Sequence, residues 1–523
     1  MPLSGQFDLG VPCIIANHIF LRLNRLLRGS TAFLLLLLGL ALVLYVYGPT
    51  IDFALPKGGP ISGYGFSISK DFPLFSPEIA HPYSPENITT PSSSTNKKTK
   101  QSFHLLIPAS EANSNLCKTL LSAFILNYPP PTLINFNKTF DGENGDGGSH
   151  TGKIRGVWDY LAKGEHTADD DIVLVIDGYD VWFQLPPEVM IKRYYRVINE
   201  ANKRLKSKYG TVYHGQGLDG GVARFAETVV YAADKLCWPN PKEDPACRSI
   251  PESTLPRNAW GPRTDEDPDG RLNRPRFLNS GNVIGPVADV KAVYGAAVVK
   301  VEYQGRGSMG DQFVFSEIFG EQEDDRNAVR APKSGAVRAG DMVAAEGQRY
   351  EFGICLDYGA AMFQTMTHSH DDIEYLVYNG TTYPSVVSEG YQVESQSQHI
   401  LTLPEDVASL KPPHPTISWK DLPLGTNLHV PSIPALLHFN GEKSYLHDWW
   451  PRMWYHGHAR ALLRLHTRSP LRPIAEAEEG QSWWDMKGGW GGKGGVWTDG
   501  GEWMDWKDVC GRFEDAVFGD GEG

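Results

Sequence analysis

The apolar pattern in the middle of the chain centres on a short run that is bounded by acids on both sides. Residues 172–176 read Ile-Val-Leu-Val-Ile. This run is too short for a buried helix, and its β-branched content favours a strand covered on both faces, as in a parallel sheet. Asp177 and Asp180 follow, around Gly178-Tyr179, where the strand must end and the chain must turn. Open α/β sheets bind their ligands at this end of a strand.

Carboxylates at the spacing of Asp177 and Asp180 suit a hard divalent cation such as Mn²⁺ or Mg²⁺, which in turn holds phosphates. The alternative interpretation is an acidic, solvated turn that binds nothing. Asp-x-x-Asp by itself does not separate the two interpretations, so the rest of the chain has to decide between them.

Strand and helix patterns alternate on both sides of this run. Such an order predicts an α/β fold with a central, mostly parallel sheet. The predicted strands are 103–107, 132–136 and 228–234. The predicted helices are 115–127 with Ser114 as its cap, 153–161, 187–208, 287–303 and one that starts at Gly310.

Two loops between these elements carry candidate ligand-binding residues. A Gly-rich loop at 141–152 leads into a helix whose first turn contains Lys153. A loop and helix start of this kind can hold an anion, or the loop can simply be solvated. Trp238 lies just past the strand 228–234, where it either stacks on a base or sugar or packs at the surface.

Further candidates follow in the second half of the chain. Asn279-Ser280-Gly281 supplies hydrogen bonds in a tight turn, for a ligand or for the turn alone. Asp311 starts a helix, where it acts as a cap or as a catalytic group. His438 ends an apolar run, and imidazole is a good ligand to Mn²⁺; the alternative is a packed histidine. Lys443, five residues later, is placed to neutralise a phosphate.

The N-terminal part predicts a membrane anchor. Residues 31–47 are an apolar run preceded by Arg22, Arg25 and Arg28, and no basic residue follows until Lys57. This asymmetry predicts a signal anchor with the N-terminus in the cytosol, and so a single-pass type II protein of the Golgi or endoplasmic reticulum membrane with a lumenal catalytic domain. A cleaved signal peptide is the competing interpretation.

Composition divides the remaining chain into segments with different expected properties. The expected organisation is a cytosolic tail at 1–30, a transmembrane anchor at 31–47, a Pro/Ser/Thr-rich stem at 48–101, a folded domain at 102–468 with a flexible insertion at 321–348, and a low-complexity, mostly disordered tail at 469–523.

Charge and cysteine content narrow the class of protein further. The net charge of −13 argues against a nucleic-acid partner. Of six cysteines, Cys237 and Cys247 flank a Pro-rich loop and are the expected local disulfide. Glycosylation sequons begin at Asn87, Asn137 and Asn379, in agreement with a lumenal glycoprotein.

Taken in order, seven motifs resemble one family over residues 103–465. They read Gly-Ser-His-Thr-Gly-Lys153, Ile-Asp177-Gly-Tyr-Asp180-Val, Val-Val-Tyr-Ala-Ala-Asp-Lys-Leu-Cys-Trp238-Pro, Phe-Leu-Asn279-Ser-Gly-Asn-Val-Ile-Gly, Gly-Asp311-Gln312-Phe, Leu-Asp357-Tyr-Gly-Ala-Ala-Met-Phe-Gln and His438-Phe-Asn440-Gly-Glu-Lys443. The chain resembles the glycosyltransferase domain of the procollagen lysyl hydroxylase/glucosyltransferases and their relatives. That resemblance implies a GT-A-like nucleotide-sugar-binding domain, Mn²⁺ or Mg²⁺ as cofactor, and a UDP-sugar donor.

The resemblance also implies roles for individual residues. It makes Asp177, Asp180 and His438 the metal ligands and Asp311 the acid next to the sugar and acceptor. The implied nucleotide- and sugar-binding residues are Lys153, Tyr179, Trp238, Asn279, Ser280, Gly281, Gln312, Asn440, Gly441 and Lys443.

The chain departs from the family pattern at two positions. The acidic run before Gln312 is reduced to Met-Gly-Asp, which bears on the chemistry at the acceptor, and Phe439 stands where the family has glycine. The expected function is a metal-dependent hexosyltransferase that moves a sugar from a nucleotide-sugar donor to a hydroxyl of a protein or glycan in the secretory pathway. The alternatives are a transferase-like binding protein without catalysis and a nucleotide-sugar hydrolase. The sequence identifies neither the sugar nor the acceptor, and an inverted or a retained product is equally compatible with it.

Overall fold

The computed structural model describes residues 100–140, 148–212, 222–330, 351–380, 402–477, 480–485 and 492–519. The described strands up to the middle of the chain are β1 (Lys100–Pro108), β2 (Thr132–Ile134), β3 (Ile172–Ile176), β4 (Val181–Phe183), β5 (Thr211–Val212), β6 (Val222–Ala223), β7 (Val229–Asp234) and β8 (Phe277–Pro286). The later ones are β9 (Ile354–Asp357), β10 (Phe363–Thr365), β11 (Ile373–Leu376), β12 (Leu424–Asn427), β13 (Leu436–His438), β14 (Ala475–Glu476), β15 (Ser482–Trp484), β16 (Gly495–Thr498) and β17 (Trp503–Asp505).

Helices connect these strands. The described α-helices are α1 (Ser114–Ile125), α2 (Gly148–Lys163), α3 (Pro187–Tyr209), α4 (Pro245–Arg248), α5 (Val287–Tyr303), α6 (Gly310–Arg330), α7 (Glu405–Ala408), α8 (Tyr445–Asp448), α9 (Ala459–Arg468), α10 (Trp506–Cys510) and α11 (Glu514–Val517). Short 3₁₀ turns lie at Gly261–Arg263, Gly307–Met309, His370–Asp372, Trp419–Asp421, Trp450–Arg452, His456–His458 and Gly511–Phe513.

The main sheet has the strand order β17-β16-β2-β1-β3-β8-β7-β9, and β15 joins the first part of β1 with β14 at its other side. Most neighbours at its centre are parallel: β1 with β2, β3 and β15, β2 with β16, and β7 with β9. Strand β8 runs antiparallel to both β3 and β7. The fold is therefore mixed α/β with a largely parallel sheet. A smaller sheet, β10-β13-β4, carries the second half of the candidate site.

The central strand β3 shows why the sheet is covered on both faces. All five of its residues are buried. Leu174 belongs to one hydrophobic core cluster and Val173 and Val175 to another, because successive side chains of a strand point to opposite faces. The uninterrupted apolar run is thus explained by two cores that meet at one strand, and the predicted buried strand is confirmed.

Predicted boundaries change at three helices. Helix α2 starts at Gly148, so the last part of the predicted Gly-rich loop is helical and Lys153 lies beyond the first turn. Helix α1 starts at Ser114, and its cap is Asn113, whose side-chain oxygen accepts hydrogen bonds from the backbone N–H of Asn115 and Leu116. Helix α6 continues to Arg330, so the first part of the predicted flexible insertion at 321–348 is helical. The rest of that insertion lies outside the described residues.

The prediction of a disordered tail at 469–523 is wrong for its described part. Strand β16 pairs in parallel with β2, and β15 pairs with β1, so the segment supplies strands to the main sheet. Trp483 and Trp497 are buried, and a disulfide joins Cys510 to Cys117 of α1. The tryptophans provide the apolar area that this Gly-rich segment otherwise lacks. The expected Cys237–Cys247 disulfide is confirmed, while Cys355 is a buried free thiol.

The predicted membrane-anchored architecture is corrected. Among the described helices, none is both long enough and apolar enough to cross a bilayer. The longest, α3 and α6, carry many charged side chains, and the more apolar α5 has 17 residues. This finding contradicts the predicted transmembrane helix, the type II topology and the Golgi or endoplasmic reticulum location. The run at 31–47, the tail before it and the stem lie outside the described residues.

Candidate metal centre

The end of β3 meets the small sheet at three side chains. Asp177 directly follows β3, Asp180 directly precedes β4, and His438 is the last residue of β13. Because β4 and β13 are antiparallel with Val181 opposite His438, the imidazole lies beside Asp180. The backbone N–H of Phe439 also donates to the carbonyl oxygen of Asp180 at 2.7 Å. Two sheets therefore position one group of three ligand-type side chains.

The geometry of this triad is compact. His438 Nε2 lies 3.5 Å from Asp177 Oδ2 and 3.6 Å from Asp180 Oδ1, and one ligand atom from each residue falls within 4.8 Å of the others. His438 and Asp180 are buried, whereas the side chain of Asp177 is 32% exposed. The triad is thus closed on the protein side and open to solvent at Asp177.

Gly281 leaves the room that the triad occupies. It lies in β8 with Asn279 and Ser280, so the tight turn predicted at these residues is wrong; it stands opposite the end of β3, and its carbonyl oxygen accepts a hydrogen bond from Asp177 N–H at 2.8 Å. A Cβ atom on Gly281 would lie 2.1 Å from His438 Cε1 and 2.8 Å from Asp177 Oδ2. Only glycine fits here without displacing His438 and Asp177.

Two lysines supply positive charge from opposite sides. Lys153 Nζ lies 2.6 Å from Asp177 Oδ1 and 2.8 Å from Asp311 Oδ2, and its side chain is buried. Lys443 Nζ lies 2.5 Å from Asp180 Oδ2, and its side chain is 55% exposed. Lys153 is therefore fixed between two acids, while Lys443 has solvent around its stem and can turn to another acceptor.

Opposing effects set the protonation of the triad. Burial disfavours the charged form of Asp180, but His438 and Lys443 outweigh it and lower the pKa of Asp180 to about 2. Burial likewise lowers the pKa of His438, yet Asp180 and Asp177 outweigh it and raise that pKa to about 9. At neutral pH and without a metal, His438 is therefore a cation held between two carboxylates.

The donor set fits a divalent cation. Two carboxylates and one imidazole suit Mn²⁺, and the space kept open by Gly281 brings their atoms together on the solvent side. One feature is unusual for such a site: His438 Nδ1 is buried without a hydrogen-bond partner among the described residues, whereas metal-bound histidines commonly donate from the second nitrogen. The packing around the ring, rather than an outer hydrogen bond, holds its orientation.

Phe439, which departs from the family pattern, does not fill the site. Its ring is buried and packs against Trp182 at a centroid distance of 4.2 Å and against Trp449 at 5.9 Å. The large side chain therefore adds to the core below the triad, and its backbone alone takes part in positioning Asp180.

Asp311 is placed next to the triad through Lys153. Its Oδ2 accepts hydrogen bonds from Lys153 Nζ at 2.8 Å and from Ser280 Oγ at 2.9 Å, and its Oδ1 lies 3.4 Å from His150 Nδ1. Burial raises the pKa of the carboxyl, but Lys153 and His150 outweigh it and hold that pKa well below its usual range. Asp311 is thus a buried, fully ionised carboxylate and a weak base.

Several sequence-predicted residues use their side chains to shape the backbone around the site. The Asn279 side chain accepts from Gly281 N–H, and Gln312 accepts from Ser280 N–H and donates to the Trp238 carbonyl. Asn440 accepts from two successive backbone N–H groups, at Met366 and Thr367, and donates to Asp234. The structure therefore assigns these amides positioning contacts within the protein.

Aromatic residues and a glycine complete the predicted set. Trp238 is 69% exposed and stands in the loop after β7. The Tyr179 hydroxyl exchanges hydrogen bonds with the backbone of Glu111, just past β1. Gly441 has a φ of 80°, in the left-handed region that favours glycine, in the turn between His438 and Lys443.

Sequence reasoning missed two residues that the structure brings to this region. Asp234, the last residue of β7, contacts His368 Nδ1 at 3.2 Å and Asn440 Nδ2 at 3.0 Å. His150, on the first turn of α2, faces Asp311. The position of Asp234 at a strand end, like that of Asp177, was a usable signal. His150 stood inside a quoted motif, but its contact with Asp311 joins residues distant in sequence.

Neither a scan against protein-family models nor a search of curated proteins found a match for this chain. The interpretation of the site therefore rests on its geometry and on the chemistry of its side chains.

Proposed function

We propose that this protein is a metal-dependent glycosyltransferase that moves a hexose from a UDP-hexose donor to a hydroxyl group of a protein or glycan and releases UDP. The observation that carries the proposal is the meeting of Asp177, Asp180 and His438 at the end of a buried strand, with Lys153 and Lys443 beside them. Ligand atoms for a divalent cation and mobile positive charge in one open site suit a diphosphate leaving group.

The chemistry divides between the cofactor and the chain. A bound divalent cation supplies positive charge that stabilises the diphosphate as the sugar leaves it. Lys443 is half exposed, and its Nζ contacts Asp180 Oδ2 and donates to the Phe439 carbonyl at 3.0 Å; it is placed to exchange the Asp180 contact for a phosphate oxygen. Lys153 is buried and holds Asp177 in position from the protein side.

The exposed indole of Trp238 supports a role in donor recognition. Its carbonyl is tied to Gln312, so the backbone of the loop is fixed while the ring remains in solvent. An exposed aromatic ring on a hydrogen-bonded loop suits stacking on a base or sugar, because stacking requires an accessible flat surface.

The test measures UDP release from a panel of UDP-sugars with and without Mn²⁺, using the whole chain. Wild type is expected to release UDP only with the metal, and Asp177→Asn and Asp180→Asn are expected to lower that rate at least ~100-fold by removing a ligand. Asp170→Asn is the matched control, because Asp170 is an exposed acid just before β3 and outside the site.

The results separate the possible outcomes. Undiminished turnover in both Asp177→Asn and Asp180→Asn would rule out the site assignment. Release of free sugar at the same rate with and without any acceptor would identify a hydrolase. Thermal unfolding curves of the variants that match wild type would show that the loss is not a loss of fold.

One observation favours a second candidate function, a nucleotide-sugar-binding protein that does not transfer sugar. Asp311, the acid expected next to the acceptor, is buried, held by Lys153 and Ser280, and has a lowered pKa. A carboxylate in that state accepts a proton poorly. Calorimetry with UDP and Mn²⁺ would show binding under either function, whereas UDP release belongs to the enzyme alone.

A further inference from the structure

Transfer by direct displacement requires a group that takes the proton of the attacking hydroxyl. Asp311 is poorly suited to this role, because its Oδ2 already accepts from Lys153 and Ser280 and the carboxyl stays ionised. The remaining oxygen, Oδ1, faces His150 at 3.4 Å. His150, the residue that Asp311 contacts, is therefore the better candidate for this proton acceptor.

His150 lies at the solvent side of the same network. It belongs to the first turn of α2, and its side chain is 72% exposed. One turn later on the same helix, Lys153 bridges Asp311 to Asp177. His150 is thus connected to the candidate metal centre through Asp311 and Lys153, and its side chain is the most exposed of the four in this chain of contacts with Asp177.

The orientation of the ring follows from its contact. With Asp311 ionised, a neutral His150 is stabilised as the tautomer that carries its proton on Nδ1, toward Asp311. Nε2 then has its lone pair free and lies on the far side of the ring from the carboxylate. A histidine with an acid behind it and an exposed acceptor nitrogen in front is the arrangement that general bases use.

We propose that His150 is the general base of the transfer reaction and that Asp311 is its positioning residue. This inference rests on the proposed glycosyltransferase function. As the acceptor oxygen forms its bond to the anomeric carbon, its proton passes to His150 Nε2. The bond from that carbon to the phosphate oxygen breaks, and its electron pair leaves with the diphosphate. The reaction is a direct displacement and inverts the anomeric configuration.

The charged groups around the ring determine how the base responds to pH. The hydrogen bond with Asp311 raises the pKa of His150, partial burial and Lys153 oppose that effect, and Asp177 adds to it; the net direction is upward from 6.5. Since the base acts in its neutral form, the rate should fall as the pH is lowered through a value above 6.5.

The test uses His150→Gln in the whole chain, with water as the acceptor and the UDP-sugar that wild type turns over fastest. The expected result is a kcat lower by ~10²–10⁴-fold, the contribution typical of a general base. The KM for the donor and the affinity for UDP with Mn²⁺ should stay within twofold of wild type, and the acid limb of the pH–rate profile, recorded with Mn²⁺ saturating at every pH, should disappear. The first sugar anomer released by wild type, read by NMR, should be the inverted one.

His166→Gln is the matched control, because His166 is exposed and lies beyond the other end of α2, about 20 Å from His150 along the helix. It should keep the wild-type rate and pH profile. A His150→Gln enzyme that keeps its kcat or its acid limb, or that loses donor binding in parallel with rate, would overturn the role of His150, as would a retained anomer. If wild type releases UDP and depends on Asp177, only this inference falls; if wild type releases none from any UDP-sugar, either with water or with peptide and sugar hydroxyls as acceptors, the proposed function falls with it.

Discussion

The candidate metal centre and the cluster around Arg326 both bring carboxylates together, two in the first and three in the second, yet they balance that charge differently. Arg326 is 1% exposed and reaches Glu227, Glu323 and Glu351 at 2.6–2.9 Å. These acids precede β7, belong to α6 and precede β9, respectively. One guanidinium therefore joins a helix to the approaches of two strands.

The two regions differ in whether their counter-charges can be exchanged. A guanidinium does not lose its proton in proteins, and its planar fork is used here from several sides at once. At the metal centre the positive groups are Lys443 and His438. Lys443 is half exposed, and His438 can lose its proton when it binds a metal ion. Buried charge alone therefore does not identify a functional site. The metal centre differs from the Arg326 cluster because its positive groups can be replaced by a ligand and because solvent reaches them.

The largest expected effect comes from removing the cation of the Arg326 cluster. Arg326→Met leaves the buried Glu227 and Glu323 and the part-exposed Glu351 without this cation and should lower the free energy of unfolding by ~3–5 kcal/mol, measured by chemical denaturation. Burial already raises the pKa of Glu227 to about 7 against the pull of Arg326. A carboxyl whose folded pKa lies above its unfolded value favours the folded state when protonated, so the deficit should shrink as the pH is lowered from 8 toward 5.

Arg248→Met is the control for this variant. Arg248 forms a half-exposed ion pair with Asp324 at 3.4 Å, also on α6, and its loss should change stability by less than ~0.5 kcal/mol. Equal stabilities for Arg326→Met and Arg248→Met would show that the Arg326 cluster does not hold the fold together.

A smaller effect is expected from the exchangeable lysine. Lys443→Ala should weaken binding of UDP in the presence of Mn²⁺ by ~10–100-fold, the value of one charge-assisted hydrogen bond to phosphate. Binding of Mn²⁺ alone should not weaken, because Asp180 then no longer shares an oxygen with the ammonium group. Calorimetry of both titrations checks this prediction, and a parallel loss of the two affinities would place Lys443 in the structure of the site instead of at the phosphate.

The smallest effect concerns the proton on His438. Because the pKa of His438 is about 9 without metal, the ring is protonated at pH 7.5 and binding of Mn²⁺ should release about one proton. The affinity should therefore rise with pH up to about 9. Titration calorimetry in two buffers of different ionisation heat measures the number released. Release of almost no proton would mean that His438 is not a metal ligand and that the site resembles the Arg326 cluster.

The elements that could be predicted from sequence are those that a local pattern of apolar and polar residues marks. Five consecutive apolar residues predict strand β3, and the helix predicted at 287–303 has the same bounds as α5. The same locality gives Asp177 and Asp180. The prediction of a membrane anchor rested on the apolar run at 31–47 and the basic residues before it, and it is contradicted by the helices that the structure describes.

What could not be predicted depends on pairing between distant segments. Strands β15 and β16 have three and four residues in a Gly-rich segment, so no periodicity marks them, and they exist because β1 and β2 offer partners. The placement of His438 beside Asp180 depends likewise on the β4–β13 register. The sequence does not indicate a role for His150, because that role depends on its contact with Asp311.

Strand β16 also has a consequence for the order in which the protein is made. Its partner β2 lies near the start of the part that the structure describes, so the ribosome must add residues 135–495 after β2 before the pair can form. At typical synthesis rates that interval is roughly 20–70 s. During it β2 presents an unpaired edge, which is a template for aggregation. A nascent chain that stalls before Gly495 therefore exposes this edge for as long as it waits.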